Sequence, residues 1–303
     1  MENSGDYLIF GVTGQQGGAV ARALRRAGKS VRGFARDPHG AAGRALAREG
    51  IELVQGDLFD PASIDRAMEG VRGVFSVQTS SPSGLVTDAQ EVAQGKAIAD
   101  SALAAGVRHV VYSSSAASGK GVTGMGHFDS KTEIEAYLRS LPLNVTITRP
   151  ASFMEMMMLP GMGLDSGEFT FFMHPDQAMQ MIALEDLGRI NAAILCDPDR
   201  FAGRTLELAG QSVTGRELER AFSTAAGRQI RYRRFAEDFL ASNGFMRRLT
   251  ELVDDGAVAG SADIAALERE FGPMTTLDQW LDGSGKALFE AALNAPQADV
   301  ALR

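Results

Sequence analysis

Apolar residues in this chain fall into short runs, and the runs are separated by longer stretches with helical spacing. Residues 7–12, Tyr-Leu-Ile-Phe-Gly-Val, are a continuous apolar run ending in glycine, the pattern of a strand buried on both faces. Ala19, Val20, Ala23, Leu24 and Ala27 then recur at helical spacing, and Gly28 closes the segment. The unit repeats. Strands are predicted over 31–35 and 51–55, and helices over 41–49 and 61–69; Asp60 is the N-cap of the second helix and Pro61 its first helical position. A fourth strand follows at 71–77, then an Ala-rich helix over about 87–105, a fifth strand at 107–113, a helix at 127–140 and a sixth strand at 143–148.

Parallel strands need long right-handed crossovers, so this alternation predicts an α/β fold: a doubly wound parallel sheet of the Rossmann type. After Pro150 the alternation breaks into a Met-rich stretch, strand-like pieces at 168–173 and 178–184, a helix from Asp186 to about residue 196, and a capping box at Thr214-Gly-Arg-Glu217. A second, smaller α+β C-terminal domain is therefore expected. We place the domains at 1–152 and 153–303, with the return of 178–210 to the first domain left open.

Composition narrows the function. With 303 residues and 45% hydrophobic content the chain can bury a large core. The net charge of −8 lacks the basic excess of a direct nucleic-acid binder. The one basic cluster, Arg228, Arg231, Arg233 and Arg234, alternates with Ile230, Tyr232 and Phe235 and reads as the solvated face of a strand. No run reaches the length of a bilayer span and the N-terminus lacks the regions of a signal peptide, so the expected location is cytoplasmic, with no membrane partner. Cys196, the single cysteine, lies in an apolar helical stretch and is expected to pack in the core. The four histidines show no metal-ligand spacing, so no metal is expected.

The sharpest motif is Gly11-Val-Thr-Gly14-Gln-Gln-Gly17-Gly18, lying between the first strand and the first helix. Glycines in that place allow a tight turn and close approach of backbone N–H groups to a pyrophosphate, and the helix N-terminus favours the anion. Gly11, Thr13, Gly14, Gln15, Gln16 and Gly17 are the predicted phosphate-side residues. The second strand ends at Ala35-Arg36-Asp37. An arginine there pairs with a ribose 2′-phosphate, whereas an acid accepts from a free 2′-hydroxyl. Arg36, with Arg44 as helper, points to NADP(H), and Asp37 keeps NAD(H) as the alternative. Asp57, beside Leu58, either accepts from the adenine amino group or caps a turn. Ser76, Gln78 and Thr79, with Ser113 to Ser115, end the fourth and fifth strands on the cleft side.

Several motifs in order resemble the NmrA-like family, atypical relatives of the short-chain dehydrogenase/reductase superfamily. They are the Gln-Gly-Gly turn, Gln94-Gly95-Lys96, Val110 to Ser114, His127-Phe-Asp-Ser-Lys131, Arg149-Pro150 and Ala183 to Asp186, within a stretch running from about residue 7 to residue 240. The resemblance implies a Rossmann domain holding NADP(H) and often a regulatory rather than catalytic use of the nucleotide. Ordinary members of the superfamily carry Tyr-x-x-x-Lys on one helix face. Here His127 stands where the tyrosine would be, and Lys131 remains. By resemblance Lys131 binds the nicotinamide ribose, and Pro150, Ala151, Ser152 and Phe153 lie beside the ring. Tyr137, six residues after Lys131, cannot replace the missing tyrosine.

His127 is open to three readings: a general acid with an ordinary pKa near 6.5, a space-filling neighbour of the nicotinamide, or a helix-start residue without cofactor contact. Met154, Met156, Met157, Met158 and Met162 suit either an apolar pocket or core filling. The leading functional expectation is a redox or nucleotide sensor acting through a protein partner. The alternative is an atypical NADPH-dependent reductase of quinones or other apolar carbonyl compounds, with His127 and Lys131 as its catalytic residues. Whether the protein is an enzyme stays open at this point, as does its oligomeric state, a homodimer included.

Overall fold

The computed structural model describes residues 7–296. Its first half follows the alternation in the sequence: β1 (Tyr7–Ile9), α1 (Gln15–Arg26), β2 (Val31–Ala35), α2 (Ala41–Arg48), β3 (Glu52–Gln55), α3 (Pro61–Met68), β4 (Gly73–Ser76), α4 (Asp88–Ala104), β5 (His109–Ser113), α5 (Gly126–Ser140) and β6 (Val145–Pro150). The second half contributes β7 (Ser152–Phe153), β8 (Glu168–Phe171), β9 (Ala178–Ile182), α6 (Leu184–Cys196), α7 (Pro198–Phe201), β10 (Thr205–Leu208), β11 (Gln211–Thr214), α8 (Gly215–Ala226) and β12 (Arg231–Arg234). Five helices end the described chain: α9 (Glu237–Ser242), α10 (Gly244–Asp254), α11 (Ile264–Phe271), α12 (Leu277–Asp282) and α13 (Lys286–Leu293).

Seven strands form one sheet in the order β10-β6-β5-β4-β1-β2-β3. From β3 through β1 to β6 every neighbouring pair is parallel. The strand order reverses between β1 and β4, which places a ligand crevice outside the carboxyl ends of those strands. The central strands carry apolar side chains on both faces because helices cover both; Leu8, Phe10, Val74, Val110, Tyr112 and Ile147 are all buried in one cluster with Ile98 and Ile134 from the helices.

The chain divides into two compact units. The first takes the chain up to Ser118, Gly126–Arg149 and Leu184–Leu206; the second takes Gly119–Met125, Pro150–Ala183 and the chain from Glu207 onward. Helix α6 is held in the first unit by close packing on α1. A Cβ on Gly188 would come within 2.5 Å of the Ala19 carbonyl oxygen, so the two helices approach nearer than any side chain allows. Asn191 of α6 also accepts from the Thr148 hydroxyl of β6 at 3.1 Å, with both groups buried.

Within the second unit, β9 lies between antiparallel β11 and parallel β7, and β12 pairs parallel with β8. Phe169, Phe171, Phe222 and Tyr232 pack ring against ring there, and Phe169 meets Phe222 edge to face at 4.8 Å. The capping box at Thr214 is present with Glu217 at both ends of it, and it opens α8. The basic cluster is only in part the solvated strand face expected: Arg231 and Arg233 are exposed, Tyr232 between them is buried and donates its hydroxyl to the Met173 carbonyl at 2.6 Å, and Arg234 is mostly buried in an ion pair with Asp254.

Two local expectations need correction. Cys196 is exposed, because it ends α6 on the same outward face as Ala193. Asp60 caps α3 by position alone: its side chain makes no cap bond and lies 3.7 Å from Arg66 instead.

Candidate functional site

The glycine motif of the first unit forms the connection between β1 and α1. Gly11 has φ +64°, a left-handed conformation that costs glycine little, and its carbonyl accepts from the Gly14 N–H at 2.9 Å. Gly17 is the tighter requirement: a Cβ there would lie 2.4 Å from the Gly11 carbonyl oxygen and 2.6 Å from that of Phe10. Helix α1 starts after Gly14 with no side-chain cap and no acid in its first turn. Its first N–H groups and its dipole therefore receive no side-chain anion from the helix's own first turn. Thr13, Gly14 and Gln15 are exposed around this end. Gln16 is tied back across the crevice, since Ser113 at the end of β5 donates to its Oε1 at 2.6 Å.

At the end of β2 the two competing residues have separated. The Asp37 carboxylate is folded onto its own loop, where Oδ1 accepts from the His39 N–H at 3.1 Å and Oδ2 lies against Gly40. Arg36 is exposed. Arg44 donates to the His39 carbonyl and so braces this same loop, a different use from the helper role predicted for it. Asp57 adopts the turn-capping alternative, accepting from the Phe59 N–H at 3.0 Å. Leu58 is half-buried against the sheet core, so it serves packing. Gln78 is buried and donates to Ser76 at 2.8 Å, while its Oε1 has no partner; Thr79 beside it is exposed.

The α4–α5 contact holds the charged part of the site. Lys131 and His127, one helical turn apart on α5, share a face. Lys131 Nζ donates to Glu91 Oε1 of α4, and the buried Ser130 hydroxyl donates to Glu91 Oε2 at 3.0 Å. Glu91 is fully buried, and the Lys131 side chain is 12% exposed. A second buried acid on α5, Glu135, receives a two-pronged bond from Arg149 at 2.9 and 2.6 Å. Tyr112 lies fully buried near both acids; burial first, and then Glu91 and Glu135, push its phenol well above the usual range. The sequence reading missed Glu91, Ser130 and Glu135. A usable signal was present, because Glu91 lies one turn before Gly95, whose missing Cβ lets Ile134 of α5 close against α4.

His127 packs against Phe128 with the rings tilted by 41° and their centroids 4.0 Å apart. Burial, and then the Lys131 charge, lower its pKa to about 4. A pKa of about 4 favours the neutral ring at pH 7. Tyr137 is bonded to Asp100 at 2.6 Å, away from this cluster.

Pro150, Ala151, Ser152 and Phe153 belong to the second unit. Pro150 and Ala151 are buried there, and Ser152 and Phe153 pair with Met181 and Ile182. Met154, Met157 and Met162 are core residues of that unit. Met156 lines an apolar pocket of the unit with Ser152, Phe171, Phe172, Met179 and Leu249. The Met-rich run is thus divided: three of the five methionines fill the core and one lines a cavity.

Residues 4–287 match the profile of the NmrA-like family. The chain belongs to that family. An NmrA-like family domain-containing oxidoreductase of Malbranchea aurantiaca is 31% identical over 248 residues, 74% of each chain. Among solved structures, an NADPH-dependent quinone oxidoreductase from Escherichia coli, complexed with NADPH, is 25% identical with a TM-score of 0.73, covering 91% of this chain and 98% of its own. NmrA itself, a negative transcriptional regulator in complex with NADP, is 21% identical with a TM-score of 0.77, covering 95% and 98%. The Rossmann fold and the doubly wound sheet are those of these NmrA structures. Among the described residues, no helix of this NmrA-like protein is long and apolar enough to cross a membrane.

Proposed function

We propose that this NmrA-like protein binds NADP(H) in its first unit and reduces apolar acceptors, quinones foremost, that need no proton donor as the hydride arrives. The residues fit such a dinucleotide. Gly17, where a Cβ would strike the Gly11 and Phe10 carbonyls, lets α1 pack close against the end of β1 and so sets its N-terminus where a pyrophosphate would bind, and Gln78 Oε1 is a buried acceptor still lacking a donor. Arg36 supplies the cation for a 2′-phosphate, and Asp37, the acid that would favour NAD(H), is occupied by its own loop. When bound, the reduced nicotinamide supplies a hydride.

The observation that carries the choice of acceptor is the state of His127. With a pKa of about 4, only about one ring in a thousand is protonated at pH 7. Lys131 is likewise committed to Glu91. This chain therefore orients and holds, through α1, Arg36 and Lys131, while His127 is a poor proton donor where the superfamily's tyrosine would stand. An ordinary ketone needs a proton as its alkoxide forms. A quinone does not, because hydride addition yields a delocalised anion that takes its proton later from water. The quinone oxidoreductase with the same fold is in keeping with this choice.

A poor proton donor equally favours the sensor reading, in which the nucleotide is held without turnover and a protein partner reads its presence. The test is NADPH absorbance during incubation with matched panels of quinones and apolar aldehydes, for wild type and Lys131→Ala, after binding has been established by fluorescence. Protein-dependent oxidation with quinones and not aldehydes, reduced in the variant, is the expected result. Tight binding with no oxidation in either panel would overturn the reductase reading in favour of the sensor.

A further inference from the structure

We infer that Glu91 is the positioning residue that cancels the charge of Lys131, and that it thereby sets how differently the site binds oxidised and reduced dinucleotide. The inference rests on the reading above that Lys131 meets the nicotinamide ribose. Its geometric basis is separate: Glu91 is fully buried, and both its carboxylate oxygens are used, one by the Lys131 ammonium and one by the Ser130 hydroxyl. Two donors on adjacent residues of α5 fix the carboxylate, and the carboxylate fixes Nζ. Glu135 is engaged elsewhere, by Arg149 on both of its oxygens and by Arg139 on one of them.

The two forms of the cofactor differ by one positive charge on the nicotinamide ring. A lone buried ammonium beside the ribose would repel the oxidised ring and leave the reduced ring untouched. In a site of low dielectric such repulsion persists over several ångströms. Lys131 next to Glu91 is a neutral pair, so its N–H groups remain available as donors to ribose hydroxyls without that penalty. The pair thus serves both readings of the protein. A reductase must release its oxidised product and rebind the reduced form, and a sensor can report only a difference in affinity between ligand states.

The experiment is fluorescence titration of the full chain with NADPH and with NADP+, giving the ratio of the two dissociation constants for wild type, Glu91→Gln, Glu91→Asp and Glu91→Gln/Lys131→Met. Melting curves beside each titration identify a variant that fails to fold. Glu91→Gln should weaken NADP+ relative to NADPH by at least about threefold, the scale of one partly screened charge at close range. Glu91→Asp, which keeps the charge, should hold the ratio near wild type even where both affinities fall. The double variant should return the ratio towards wild type, because the unmatched ammonium is gone. Equal weakening of both forms in Glu91→Gln would overturn the inference and leave Glu91 a packing residue. Wild type that binds neither form would overturn the NADP(H) reading itself, and unchanged affinities in the double variant would overturn the placement of Lys131 alone.

Discussion

The β1–α1 turn and the α4–α5 contact lie in the same unit, yet they manage charge in opposite ways. From Gly11 to Gly18 the turn contains no ionisable side chain, and what it offers an anion comes from backbone N–H groups, a helix dipole and the neutral side chains of Thr13 and Gln15. The α4–α5 contact buries two carboxylates, Glu91 and Glu135, and matches each with a cation, Lys131 and Arg149. The first region depends on shape and should tolerate polar changes. The second depends on charge and should tolerate changes of shape better than removal of one partner.

Removing one partner of the buried pair on α5 should have the largest effect. Glu135→Ala removes the buried carboxylate that Arg149 and Arg139 share, and breaking a buried ion pair of this kind costs about 3–5 kcal/mol. Urea denaturation of the variant checks it, and a loss below about 1 kcal/mol, the range of exposed pairs, would erase the contrast between the two regions. The corresponding test of the turn is Gly17→Ala. The added methyl must displace the Gly11 and Phe10 carbonyls, so stability should fall by about 1–3 kcal/mol. Nucleotide affinity should fall much further than in Gln15→Ala, where an exposed side chain is trimmed and the backbone is untouched. Equal affinities for the two variants would mean that the turn does not hold the phosphates by shape.

The same distinction separates what was legible in the sequence from what was not. Glycines at Gly11, Gly14 and Gly17, apolar strand runs and the Thr214–Glu217 capping box are local signals, because the physics that requires them acts within a few residues. They identified the sheet, the turn and the start of α8 correctly. The Glu91–Lys131 pair joins residues forty positions apart, and within its Ala-rich helix only the nearby Gly95 hints that this acid is buried and not solvated. Strand β10, short and partly exposed, likewise gains its place only by lying beside β6. Asp57, open in the sequence between an adenine contact and a turn cap, and Arg44, a possible helper of Arg36, both bond the backbone of their own loops.

A smaller effect is expected at the end of β2, where shape and charge combine. Arg36→Ala should lower affinity for NADP+ about tenfold or more, the worth of a charge-assisted bond to phosphate, and leave NAD+ nearly unchanged. Asp37→Asn should alter neither strongly, since that carboxylate already serves the His39 N–H. Fluorescence titration with both nucleotides decides it. If NAD+ affinity falls in parallel in Arg36→Ala, the arginine is not reading the 2′-phosphate.

The smallest shift should come from moving the Lys131 charge away from His127. Histidine signals in proton NMR should show His127 titrating near pH 4 in the wild type. The sign follows from burial: the folded state favours the neutral ring, whereas the unfolded ring takes up a proton below about 6.5. Stability carried by the neutral ring is complete above that value and is lost as pH falls towards 4. His127→Gln should therefore flatten part of the acid limb of a stability profile, and His109, held near 4 mainly by its own burial, should retain the rest. Lys131→Met should raise the His127 midpoint without bringing it to 6.5, because burial outweighs the lysine among the causes of the shift. A wild-type midpoint near 6.5 would return a protonatable acid to the site. The acceptor range of the protein would then extend from quinones to simple carbonyl compounds.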